Sequence, residues 1–279
     1  MIEVALGHSV SDGDASSRIG PLAEYSISTN QLKEFLESRK NNLVYHSGMS
    51  SLSKEIVLTF DDGYYDNMER ALPLIEHFKV QTFIFVTTGF VEGDIYPYEL
   101  ELASVIEDHG GIHTPFHSRP VVVRSDKDEN RLYQRLRLPL KTATYKDRER
   151  FMNKLAAING YERKSYQNKS FLSWKGVAEL DQHPFITIGA HTDSHPVLTH
   201  QWPWIAYREM KHSKSKIEEV IDRPVRHFSY PYGRNNALVR TLARWAGFRW
   251  AFTTERRRVD SIEECGAFSI PRIDIHHLV

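Results

Sequence analysis

Residues 56–63 read Ile56-Val57-Leu58-Thr59-Phe60-Asp61-Asp62-Gly63, an apolar run that ends on two adjacent carboxylates and a glycine. Similar short runs recur at 2–6, 82–86, 185–188, 227–230, 250–253 and 269–273. Helical patterns lie between them. Ser28 and Gln31 form a capping-box signature ahead of Leu32, Phe35 and Leu36. Met68, Ala71, Leu72, Ile75 and Phe78 make one apolar stripe, with Pro73 a local distortion. Met210, Ile217, Val220 and Ile221 make a second, closed by Pro224; Leu238, Leu242 and Trp245 make a third, stopped by Gly247. Strands alternating with helices predict an α/β domain with parallel strands.

The chain has 279 residues, 41% apolar and 11% aromatic, enough to bury a sizeable core and to exclude a disordered class. Lys+Arg and Asp+Glu both number 36, which argues against a nucleic-acid binder that relies on a global positive field. One cysteine, Cys265, excludes an internal disulfide framework and a Cys-rich zinc site, and it reads as a small hydrophobe. No stretch approaches the roughly 20 apolar residues that span a bilayer. The start, Met1 to His8, has no basic-then-apolar leader, so the expected location is cytoplasmic. Histidine is over-represented, at 14 residues, and histidines ligate metals and titrate near neutrality.

The whole of 1–279 reads as one catalytic domain in which an insertion at about 93–170 breaks the strand–helix rhythm. Segment 121–150 holds nine Lys/Arg and five Asp/Glu. Two readings stay open: a solvated helical insertion, or a lid that approaches an anionic substrate.

Three strand-end motifs carry the chemistry. Asp61 and Asp62 cannot both be buried without a cation or a proton between them, and Gly63 lets the backbone turn sharply. Alone, Asp-Asp-Gly is most often an ordinary turn. His191-Thr192-Asp193-Ser194-His195-Pro196 follows the fourth run, and the i, i+4 spacing lets two imidazoles reach one ion. Asp62, His191 and His195 would supply one oxygen and two nitrogens with positions left for water, the composition of a hydrolytic zinc site. Phe228-Ser229-Tyr230-Pro231-Tyr232-Gly233 is the third motif; by itself it reads as an aromatic-rich turn.

In this order the three motifs resemble the polysaccharide deacetylase family, the NodB-homology carbohydrate esterases, over 54–91 and 171–274. The resemblance implies a deformed (β/α) barrel with its motifs at the carboxyl ends of strands. It also implies that Asp61 is the catalytic base and that Asp62, His191 and His195 hold a divalent ion, with zinc the expected one. Two features depart from the family pattern. Ser229 stands where many members carry the Arg that braces the catalytic Asp, and no Leu-x-x-His motif follows near the C-terminus. A circularly permuted subgroup, similar to poly-N-acetylglucosamine deacetylases, places its acid histidine on the first strand. Val4-Ala5-Leu6-Gly7-His8-Ser9-Val10 looks like that motif, which makes His8 the expected general acid and Arg272 the candidate replacement brace.

The activity so implied is removal of an N-acetyl group from a sugar, a nucleotide- or lipid-linked precursor of a surface polysaccharide being the expected substrate. The rivals are another amide or imide hydrolase on the same scaffold and a catalytically silent sugar-binding module. Tyr232, through its backbone N–H, and Pro231 are expected at the oxyanion. Trp202 and Trp204 either stack on a sugar or pack at a helix start, and Arg256–Arg258 either bind phosphate or carboxylate or form a solvated turn.

Overall fold

The computed structural model describes residues 2–12, 19–43, 56–109, 111–116, 119–163 and 170–278; Lys54, where the resemblance begins, lies outside them. Seven strands form one sheet: β1 (Glu3–Gly7), β2 (Ile56–Phe60), β3 (Thr82–Val86), β4 (Ile186–Ala190), β5 (His227–Ser229), β6 (Trp250–Phe252) and β7 (Ile273–Asp274). Their order is β6-β5-β4-β3-β2-β1-β7, and every neighbouring pair is parallel. The two edges meet. Ile270 bridges to Phe252, donating its N–H to the Ala251 carbonyl and accepting from Thr253 N–H, before the chain enters β7 beside β1. The sheet therefore curls into the deformed barrel that the resemblance implies.

Both faces of the strands are buried, because successive side chains point to opposite sides. Val4, Val57, Phe83, Phe85 and Phe252 fill the inside with Ile2, Val259 and Ile270. Ala5, Leu58, Phe60, Ile84, Val86, Ile188 and Ala251 face outward, into the layer beneath the helices. The inner layer needs a glycine at 189. A Cβ there would stand 2.5 Å from Phe85 Cδ1, so Gly189 makes room for the ring.

Around the barrel, α1 (Thr29–Arg39) starts at the expected capping box, with Ser28 and Gln31 bonding reciprocally. The stripe 68–78 is not one regular helix. A π-helical turn, Asn67–Ala71, leads into α2 (Leu72–Phe78), so Pro73 falls in a first helical turn, where its missing N–H costs little. The insertion supplies α3 (Tyr98–Asp108), α4 (Asp126–Thr142) and α5 (Tyr145–Asn159), which pack around Leu102, Ile106, Tyr133, Leu136, Met152 and Leu155 as a second core. Of its nine basic residues in 121–150, Arg124, Lys127, Arg131, Arg135, Lys146 and Arg150 are exposed; Arg137 and Arg148 are buried and Lys141 half-buried. The charge run is thus a solvated face with three exceptions.

Beyond the insertion come α6 (Trp174–Asp181), α7 (Pro203–Ile221) and α8 (Ala237–Ala246). The expected stripe of α8 is corrected here. Val239, Leu242, Ala243 and Ala246 are buried, whereas Leu238 and Trp245 are exposed. Small alanines let α8 lie close on α7, and the larger apolar residues fall on the neighbouring face. No helix among the described residues is long and apolar enough to cross a membrane.

Candidate active site

The carboxyl ends of the strands surround one cavity of about 280 Å³, lined by His8, Asp61, Asp62, His191, His195 and Arg272 together with Tyr232. Each follows or flanks a strand: His8 after β1, the aspartates after β2, the histidines after β4, Tyr232 after β5, and Arg272 before β7. Asp61 is pinned by its N–H to the Gly7 carbonyl at 3.1 Å, and His191 by its N–H to the Val86 carbonyl at 2.9 Å. Asp62, Thr192, His195 and Tyr232 all adopt positive φ, between 52° and 73°. Non-glycine residues held there cost of order 1–3 kcal/mol each, so the strain is concentrated at the cavity. Gly233 beside them is obligatory, since a Cβ would meet Thr254 Oγ1 at 2.1 Å.

Asp61 and Arg272 form a sealed pair. Arg272 is 1% exposed, and its five N–H donors all find acceptors. Nη1 and Nη2 each lie 2.7 Å from an Asp61 oxygen, Nη2 also reaches Ser229 Oγ at 2.7 Å, Nη1 reaches Thr59 Oγ1 at 3.3 Å, and Nε reaches the Thr253 carbonyl at 2.9 Å. Ser229 in turn donates to Asp61 Oδ2 at 3.1 Å. Burial pushes the Asp61 carboxyl up, but the Arg272 guanidinium and His191 outweigh it and hold the group well below the usual carboxylate range. The guanidinium thus bonds both oxygens of Asp61 and the Ser229 hydroxyl at once.

Asp62 Oδ1 lies 3.6 Å from His191 Nε2 and 3.5 Å from His195 Nε2, and the three ligand atoms sit within 4.8 Å of one another. This cluster fits a divalent cation on its own terms. Asp62 Oδ1 is buried without a hydrogen-bond partner. His191 Nδ1 donates to the Ser229 carbonyl at 2.8 Å, which turns its Nε2 lone pair toward Asp62. Burial keeps both imidazoles neutral: His191 is lowered to about 4 and His195 well below its ordinary value, the latter also by His191. Burial and the Asp61 charge raise the Asp62 carboxyl, a cost that a bound cation would remove.

The loop between the histidines is held by a residue that no sequence pattern singles out. Glu209 on α7 accepts the N–H groups of Asp193 and Ser194, at 3.1 and 2.8 Å, and the Ser194 hydroxyl at 2.8 Å. Thr88 and Lys216 hold Asp193 from the other side. Glu99, on α3 of the insertion, was equally unforeseen; it is buried and accepts the Tyr232 hydroxyl at 2.5 Å.

His8 has a buried Nδ1 without a partner and rests 4.9 Å from the Tyr25 ring. Burial lowers its pKa while Asp61 and Asp274 raise it. Asn67, on the π-helical turn, donates to the His8 carbonyl at 2.8 Å and fixes that turn of chain. Pro231 is buried next to Tyr232. Trp202 is 65% exposed, stacks on Trp204 at 5.1 Å, and is not among the residues that line the cavity. Of the arginine run, Arg256 reaches the cavity, while Arg257 pairs with Glu255 and Glu264, and Arg258 with Glu3.

Three solved structures share this fold over 98% of the chain. They are the deacetylase PplD of Streptococcus pyogenes in complex with acetate (17% identity, 91% of that chain, TM-score 0.61), a de-N-acetylase from Aggregatibacter actinomycetemcomitans (17%, 95%, 0.61) and IcaB from Ammonifex degensii (16%, 91%, 0.59). No curated protein sequence matches the chain significantly. The sequence profile of polysaccharide deacetylases, in contrast, matches residues 49–251, a span that includes the aspartate pair, both histidines and Tyr232. The barrel, the strand-end cavity and this match agree: the chain belongs to the polysaccharide deacetylase family.

Proposed function

We propose that the chain removes the acetyl group from an N-acetylated sugar in a metal-dependent hydrolysis, acting on a precursor of a surface polysaccharide. One observation supports this above the others. A carboxylate kept ionised by Arg272 stands directly beside a two-histidine, one-carboxylate cluster, with Asp61 Oδ2 3.8 Å from His191 Nε2. A silent binding module needs neither feature.

Asp62, His191 and His195 would hold the ion, zinc by the nature of the donor set. When bound, such an ion lowers the pKa of water and polarises a carbonyl. The rest belongs to the side chains. Asp61 takes a proton from the water that attacks the acetyl carbonyl, and Arg272 with Ser229 keeps that carboxylate aimed. The Tyr232 backbone N–H faces the developing oxyanion. His8 gives a proton to the nitrogen as the C–N bond breaks, so the products are acetate and an amino sugar. The test is acetate release from an N-acetylglucosamine oligomer by zinc-reloaded and by chelated protein. Release that depends on the metal supports the proposal; none under either condition, or equal release under both, refutes it.

A further inference from the structure

Of the three unexposed cations in 121–150, the insertion delivers two to the reaction cavity. Arg137 and Lys141 stand one helical turn apart on α4, and both line it. Arg137 is 8% exposed, its Nε has no hydrogen-bond partner, and its one hydrogen bond among the described residues is long, 3.5 Å from Nη1 to Gln134 Oε1. Lys141 Nζ rests 4.2 Å from the centre of the Tyr232 ring. Among the described residues, no carboxylate lies within ion-pair distance of either cation.

The acids of the same cavity are differently placed. Asp61 is bound to Arg272, Asp62 faces the two histidines, Asp274 accepts the His276 N–H at 2.9 Å, and Glu99 accepts the Tyr232 hydroxyl. Glu99 and Glu24 act on the two α4 cations at longer range, but neither carboxylate forms an ion pair with them. A buried guanidinium whose Nε has no hydrogen-bond partner is costly, and one that faces a cavity is completed by an acidic group on the ligand.

We infer that Arg137 and Lys141 form a subsite for an acidic group, a carboxylate or a phosphate, carried by the sugar whose acetyl group is removed. This rests on the deacetylase reading above. The planar fork of Arg137 suits two oxygens of such a group, and Lys141 adds a point charge. Tyr232 connects the two ends of the cavity. Its ring lies 4.7 Å from that of His195, so Lys141 Nζ is no more than about 9 Å from the His195 ring. One pyranose ring with an exocyclic acid bridges that separation. Burial and then Arg137 lower the Lys141 pKa, with Glu99 and Glu24 acting the other way. Exposed Arg256, on the cavity edge, adds to the attraction.

The test is the affinity of zinc-reloaded protein for three probes, measured by calorimetry: N-acetylglucosamine 1-phosphate, N-acetylglucosaminuronic acid and neutral N-acetylglucosamine. At least one acidic probe should bind about tenfold tighter or more than the neutral one, and whichever leads identifies phosphate or carboxylate. Arg137→Gln and Lys141→Met should each reduce that ratio severalfold. Half-buried Lys141 keeps the test valid if the buried Arg137 variant folds poorly. Equal affinity for the three probes overturns the subsite. So does a ratio that survives Lys141→Met together with Arg137→Gln, as direct binding of the acid at the histidine cluster would give. Acetate release is followed on the same samples. Its absence from every probe would refute the deacetylase reading, while the affinity ratio alone judges the subsite.

Discussion

A carboxylate shut away from water stays an anion only where a cation replaces the solvent. Asp61 and Arg272 meet that condition with five satisfied guanidinium donors; the sequence names both residues, Arg272 only as a candidate brace, and not the geometry that joins them. The adjacency of Asp61 and Asp62 is local and readable. Which of the two receives the arginine depends on a residue 211 positions away, at the last strand of the barrel. Lysine cannot supply the planar fork. Arg272→Lys should therefore leave Thr59, Ser229 and one Asp61 oxygen short of donors and lower the unfolding free energy by roughly 3 kcal/mol, measured by urea titration. Because the Asp61 pKa is depressed in the fold, the stability the pair contributes is present above the ordinary carboxylate value near pH 4. It is lost as the pH falls further.

Strands were legible from short apolar runs because both faces of each are buried, so no alternation had to be detected. Helix faces were less so. On α8 the larger residues suggested Leu238 and Trp245, but packing on α7 selects the alanine side. The π-helical turn before Pro73 has no signature in a hydrophobic pattern, although it positions Asn67 against His8. Inside the barrel, β5 carries His227 against Phe83 at 4.8 Å, where burial and then Arg223 and Arg226 lower its pKa to about 3. An unfolded histidine takes up a proton near pH 6.5. Below that value the unfolded chain binds a proton that the fold refuses, so stability must decline from pH 6.5 toward 3. Between pH 7 and 5 the loss from this residue should be roughly 1–2 kcal/mol. His227→Gln should remove it, seen as a smaller fall in the urea midpoint between the two pH values.

The first strand pairs with β2 on one side and with β7 on the other, which brings His8 and Arg272 to residues that lie between them in sequence. His8→Ala should lower kcat on an N-acetyl substrate by about 10²-fold while leaving metal content unchanged. An ester analogue, whose leaving group needs less protonation, should lose less. The insertion is the part least legible in advance. Its charge run was ambiguous because exposed and cavity-facing cations share one helix, and only the packing of α3 to α5 separates them. The proposed function rests on a division of labour between neighbours, with Asp62 to hold the ion and Asp61 to move the proton. The direct test is metal content and acetate release measured on one Asp61→Asn sample whose folded state has been checked by thermal unfolding. The account predicts about one ion per chain with turnover reduced by roughly 10²-fold or more. Turnover near wild type, or loss of the ion along with the activity, would contradict it.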